Sequence, residues 1–233
     1  LINSPVIRAG DFKFVEKDIY NTKKSLIPWF ESLRFLNSHL SHYVKHNGSF
    51  NSRAYESSEN TMDMWILSKL SNLSAYIDRE MTLFRFHSIL PKLLTYIDEL
   101  TNWYLKFNRD RLKGIDMTSE EWEIALSTLF KALLEFAKIM APFTPFTCEY
   151  MYQNLKLYLP KYNQKESVLM EEYPHVDIFK VDTTIERSME RLQKIVLMVR
   201  NFRSLNKSFS SIQVPLKSIQ IGHIDKMFLN DIS

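Results

Sequence analysis

Residues 100–114 read LTNWYLKFNRDRLKG, aliphatic and aromatic at the start and dense in Lys and Arg at the end. At roughly 100° per residue, Leu90, Leu93, Ile97, Leu100 and Tyr104 fall in one stripe, so the stretch closes a helix that begins near Phe86. Gly114 stands where a left-handed C-cap is wanted, and Pro91 should bend the helix near its start. Asn102, Lys106, Arg109 and Lys113 gather opposite the stripe, with Trp103 at the boundary. Arg111 falls in line with the stripe itself, as though the stripe there stops facing a core.

The rest of the chain carries the same period. Residues 17–46 repeat Trp29, Leu33, Leu36 and Leu40 at three and four, with a kink or a join of two helices expected at Pro28. A polar loop follows at 47–59, and Asn60 can cap a helix containing Trp65, Leu73, Tyr76 and Ile77. Thr118 and Glu121 form a capping-box pattern before Leu126, Leu129, Leu133 and Phe136. That helix should stop at Ala141-Pro142, and Thr144 and Pro145 suit the N-cap and first position of the next. After an aperiodic stretch at 160–181, Thr183 with Glu186 opens a last helix reaching about Lys207. Beyond it, SFSSIQVPLKSIQIGH alternates in period two and predicts a strand or short hairpin broken at Pro215.

Composition agrees with a mainly α fold. With 45% hydrophobic residues in 233, the chain can bury a substantial core, and only 4 Gly leave few of the tight turns an all-β fold consumes. No apolar run approaches 18 residues, so no membrane span is expected. The single cysteine, Cys148, excludes an internal disulfide and a multi-cysteine zinc site, fits a reducing compartment, and reads as a small buried thiol. His39, His42 and His46 share a helix face, but no Cys, Asp or Glu nearby completes a metal shell, so they read as a solvated polar face. The acids Asp78, Glu80, Asp98 and Glu99 read as partners of arginines. No Gly-rich phosphate loop, nucleophile elbow or zinc-protease helix is present, and no residue is expected to be catalytic or to bind a metal. The start, LINSPVIRAGDF, lacks a signal peptide's pattern and reads as cut from a longer chain.

Net charge is only +3, so its distribution matters. Lys106, Arg109, Arg111 and Lys113 against Asp110 give +3 between Tyr104 and Gly114. Arg187, Arg191, Lys194, Arg200, Arg203 and Lys207 against Glu186 and Glu190 give +4, leaving −4 for the remainder. On the last helix the azimuth of Ile185, Met189, Leu192, Val196 and Val199 continues as Arg200, Arg203 and Lys207. Basic residues in a final turn interact with the helix dipole by about 0.3–1 kcal/mol each and need no ligand. That effect does not account for cations placed on the apolar azimuth, and RNA is the natural polyanion for such a surface.

Three segments in order, MDMWILSKL, LTNWYLKFNRDRLKG and MAPFTPFTCEYMYQNL, resemble the helical anticodon-binding domain of class Ia aminoacyl-tRNA synthetases. Within that class, LINSPVIRAGDFKF and the NWY helix look most like the isoleucyl branch of eukaryotic type. The resemblance covers residues 1–225. It implies a linker at 1–15 after an absent catalytic domain, an anticodon-binding helical bundle at 16–207, and at 208–233 the start of a truncated α/β C-terminal region. It implies a cytoplasmic parent enzyme that uses ATP and Mg to attach isoleucine to tRNA(Ile), possessing catalytic signatures this chain lacks. The chain itself should hold the tRNA(Ile) anticodon stem-loop without aminoacylating it, with no cofactor, and a multi-synthetase assembly could supply protein partners. The equivalent domain of a valyl or leucyl enzyme, or a noncatalytic helical scaffold, are the alternatives. On a surface formed by the third and last helices, Lys106, Arg109, Lys113, Arg200 and Lys207 are expected on phosphates and Arg111 or Arg203 on bases. Trp103 belongs either to the core edge or to a stacking platform.

Overall fold

Of the 22 residues in the helix Ser119–Met140, 15 are buried, and a helix with so narrow a polar face must be surrounded by others. The computed structural model describes residues 16–174 and 181–205. In chain order the helices are α1 (Glu16–Asn47), α2 (Thr61–Thr82), α3 (Phe86–Asp98), α4 (Leu105–Phe107), α5 (Arg109–Leu112), α6 (Ser119–Met140), α7 (Pro145–Leu155) and α8 (Thr183–Leu205). A π-helical turn, Glu99–Tyr104, joins α3 to α4. Two compact units divide the chain, Leu1–Asp182 with α1 to α7 and Thr183–Ser233 with α8. The fold of the described residues is mainly α, without a strand. The predicted strand or hairpin after Ser208 and the linker at 1–15 lie outside the described residues.

In the first unit α6 is the axis, packed by α1, α2, α5 and α7, while α3 packs on α1 and α2. Leu126, Leu129, Leu133 and Phe136 are fully buried, as the period required, and so are Ala125, Ala132, Ala137 and Ile139, which widen the stripe on both sides. The buried polar side chains Ser127, Thr128 and Glu135 find partners within α6. Ser127 and Thr128 donate to the Ile124 carbonyl, and Glu135 accepts from Lys131 and Lys138. Phe136 packs edge-on against Trp29 of α1 at 5.1 Å and tilted against Tyr96 of α3 at 4.8 Å, joining three helices at one ring.

Pro28 does not join two helices, because α1 runs through it from Glu16 to Asn47. A helical proline clashes with and unpairs the carbonyl four residues earlier, here at Lys24, and Lys24 is exposed, where water can take that carbonyl. Beyond the proline, Trp29, Leu33, Leu36, Leu40 and Tyr43 are all buried.

The helix ends follow local chemistry. Asn60 accepts from the backbone N–H of Met62 and Asp63, and Thr118 accepts from that of Glu121. Thr144 stands at the N-cap and Pro145 opens α7, as the sequence suggested, but the Thr144 hydroxyl makes no capping bond and lies 3.4 Å from Cys148 Sγ. Cys148 is buried, and burial pushes its thiol up to about 11. Of the four acids read as arginine partners, Glu80 does pair with Arg85 at 2.7 Å, whereas Glu99 pairs with Lys69 and Asp98 accepts from Asn102.

The described residues 160–174 after α7 lie along the bundle as a strap. Glu149 accepts from the Ser167 hydroxyl and the Val168 N–H, Lys138 meets Glu171 at 3.2 Å, and Ser74 of α2 donates to the Pro174 carbonyl.

Gly114 ends α5 as the sequence required. Its φ is +73°, its N–H reaches the Arg111 carbonyl, and the Ile115 N–H reaches the Asp110 carbonyl, the paired bonds of a Schellman cap. A Cβ at Gly114 would also stand 2.6 Å from the Trp122 ring. Gly114→Ala therefore meets both left-handed backbone strain and an indole that must move. It should lower unfolding stability by about 2–4 kcal/mol, read as a reduced urea midpoint. An unchanged midpoint would contradict the Trp122 contact.

Candidate nucleic-acid interface

The basic turn is built on a helical run whose phase changes partway. Leu93, Ile97, Leu100 and Tyr104 face the core, and the next inward positions are Asn108 and Leu112, both buried. The inward spacing has become four, four and four, because the π turn Glu99–Tyr104 inserts about one extra residue. The run then breaks at Asn108, with φ −100° and ψ 13°, whose side chain donates to the Tyr104 carbonyl.

The placement of Arg111 is thereby corrected. Uniform helical phase put it on the core azimuth and suggested that the stripe there had left the core; in the structure Leu112 takes the core position. Arg111 sits beside it with 12% of its side chain exposed. Its Nη1 lies 2.8 Å from both oxygens of Asp63, and its Nε donates to Glu121 at 3.2 Å. The anion that Arg111 meets is internal.

Asp63 is fully buried and accepts from three groups. Besides Arg111, the Tyr104 hydroxyl donates at 2.7 Å and the Ser58 hydroxyl at 2.6 Å. Burial would lower the Arg111 guanidinium, but the Asp63 carboxylate outweighs it and holds the group above its ordinary range. Burial and the same carboxylate push the Tyr104 phenol well above its usual value. This network ties α5 to the first turn of α2 and to the start of α6.

Around it the remaining cations divide by exposure. Lys106 is exposed and donates from Nζ to Asn102, which in turn donates to Asp98. Arg109 is exposed, and its guanidinium has no ion-pair partner among the described residues. Lys113 is half-buried and lies close enough to His39 of α1 that, after burial itself, its charge lowers the His39 pKa. His42 and His46 bring their Nε2 atoms to 3.0 Å on the same helix, and His42 packs on Trp122. Among the described residues no group of three or more His, Cys, Asp or Glu is arranged to hold a metal ion.

Trp103 is buried at the core edge, its ring stacked on Phe107 at 5.9 Å and 20°. Phe107, which the sequence reading passed over, is the exposed ring of the pair. Its signal was there in the i, i+4 spacing from Trp103. Trp122 clamps the turn from below, donating from Nε1 to the Leu112 carbonyl. In the second unit, Arg200 and Arg203 occupy the last turns of α8, and Lys207 lies outside the described residues.

A family model described as the anticodon-binding domain of tRNA ligase matches residues 63–218. The chain belongs to this family. The matched span opens at the buried Asp63 and takes in the whole basic turn. Among relatives, the cytoplasmic isoleucine–tRNA ligase of Saccharomyces cerevisiae is 40% identical over 240 residues, covering 100% of this chain and 22% of its own length. The cytoplasmic isoleucine–tRNA ligases of Arabidopsis thaliana and Mus musculus are 38% and 35% identical, again over 100% of this chain and 19% of their own length. The chain thus spans about a fifth of the length of these relatives. Among the described residues no helix is long and apolar enough to cross a membrane.

In this anticodon-binding domain, Arg111→Ala leaves the Asp63 carboxylate buried without its counter-charge. Stability should fall by about 3–5 kcal/mol, measured by urea unfolding. The double variant Asp63→Asn with Arg111→Met removes both charges and should recover part of that loss. A single variant as stable as the parent would show that the ion pair does not hold the turn.

Proposed function

We propose that this chain is the anticodon-binding module of an isoleucine–tRNA ligase and holds tRNA(Ile) by its anticodon stem-loop. The observation that carries the reading is end-to-end similarity, at 35–40% identity, to enzymes named as isoleucine–tRNA ligases. Those names favour isoleucine over the valyl and leucyl alternatives and over a noncatalytic scaffold. They also favour a cytoplasmic setting. ATP- and Mg-dependent attachment of isoleucine is assigned to the whole ligase, and tRNA holding to this part of it.

The physical chemistry supports a division of labour within the basic turn. Lys106, Arg109 and Lys113 take backbone phosphates, while Arg111, already bound to Asp63, positions them and does not touch the RNA. Arg200 and Arg203 of α8 supply further phosphate or base contacts, with Lys207 beside them in sequence.

Titration of the chain with anticodon stem-loops of the isoleucine, valine and leucine tRNAs tests this. The isoleucine loop should bind tightest, and log affinity should fall against log salt by roughly 0.7–0.9 per phosphate neutralised. Lys106→Ala with Arg109→Ala should weaken binding to all three loops and flatten that slope by about 1.4–1.8. Absence of RNA binding at low salt would overturn the reading, and preference for the valine or leucine loop would reassign it.

A further inference from the structure

Among the described residues of the first unit, three phenylalanines stand largely exposed, and their surroundings differ. Phe146, 91% exposed, has neutral chain neighbours, Pro145 and Thr147. Phe84 meets Phe86 edge-on at 6.1 Å, and the charge of adjacent Arg85 is taken up by Glu80 at 2.7 Å. Phe107 is 58% exposed, yet one face lies on the buried Trp103 ring, so its plane is set from beneath. Lys106 precedes it and Arg109 follows two residues on, both exposed, and Arg109 has no carboxylate partner among the described residues.

A fixed, half-open aromatic face with exposed cations within two residues along the chain is the combination that takes an unpaired nucleobase on the ring and its phosphates on nearby cations. A duplex, whose bases are already stacked, cannot use the ring. We propose that the outer face of Phe107 is the stacking platform for one unpaired base of an RNA loop, with Trp103 as its support. The proposal rests on the tRNA-binding reading above and gives that site its base-contacting residue. Phenylalanine has no polar edge, so the platform contributes affinity and selects single-stranded over paired RNA. Recognition of the base's identity falls to other groups.

The test uses the full 233-residue chain and an isoleucine anticodon stem-loop with 2-aminopurine substituted in turn at each loop position. Wild-type protein should change the probe's fluorescence strongly at one position. Phe107→Leu, which keeps apolar bulk over Trp103 but has no π face, should weaken binding roughly 5- to 150-fold. It should abolish that fluorescence change and leave the salt slope intact, since no charge is lost. Phe107→Tyr should restore both affinity and signal. A Phe107→Leu variant that binds and signals like wild type overturns the platform while leaving the tRNA reading standing. Equal loss in the Leu and Tyr variants also overturns it, because that pattern marks a packing role. Failure of the wild-type chain to bind any loop overturns the tRNA reading and this inference together.

Discussion

A carboxylate with no exposure to water constrains much of the first unit. Burying Asp63 costs several kcal/mol unless charge and hydrogen-bond donors surround it, and the donors come from separate parts of the chain. Ser58 reaches it from the turn before α2, Tyr104 from the π turn and Arg111 from α5. Meeting that demand fixes the end of a long helical run against the beginning of another helix. Arg111 then extends to Glu121 and brings in the start of α6. The exposed cations beside Arg111 inherit their position from this internal pairing.

The π turn sorts the basic residues between these two roles. One extra residue turns everything after it by about 100° relative to a uniform helix. The shift places Leu112 in the core, leaves Arg111 at its margin within reach of Asp63, and keeps Lys106, Phe107 and Arg109 outward. The Schellman cap at Gly114 closes the run where Trp122 packs against it. A turn bounded by a buried ion pair and a tryptophan can present charge without long flexible excursions, which lowers the ordering cost of binding a polyanion.

Much of this was legible from the order of residues. The caps at Asn60, Thr118 and Gly114 rest on side-chain and backbone chemistry within a few positions, and each forms as the local pattern demands. The stripes on α1 and α6 are likewise local properties. Thr144 takes the expected N-cap position, but its hydroxyl meets a nearby thiol in place of a backbone N–H. Pro28 sits within one continuous helix, not at a join, because the carbonyl it unpairs, at Lys24, is on the exposed side. Phe107 was readable in principle as the i+4 partner of Trp103, but which ring is covered depends on what packs beneath.

The sequence by itself determined the helical class, most helix ends, the concentration of positive charge and the family resemblance. All of these are written in spacing and composition over short distances. The tertiary structure alone decided that Arg111 pairs with the buried Asp63. Its partner Asp63 lies 48 residues earlier in the chain, and a π turn between them changes the phase that any uniform helical reading assumes. Pairing across such a separation depends on how helices pack, and no periodicity along one helix encodes it.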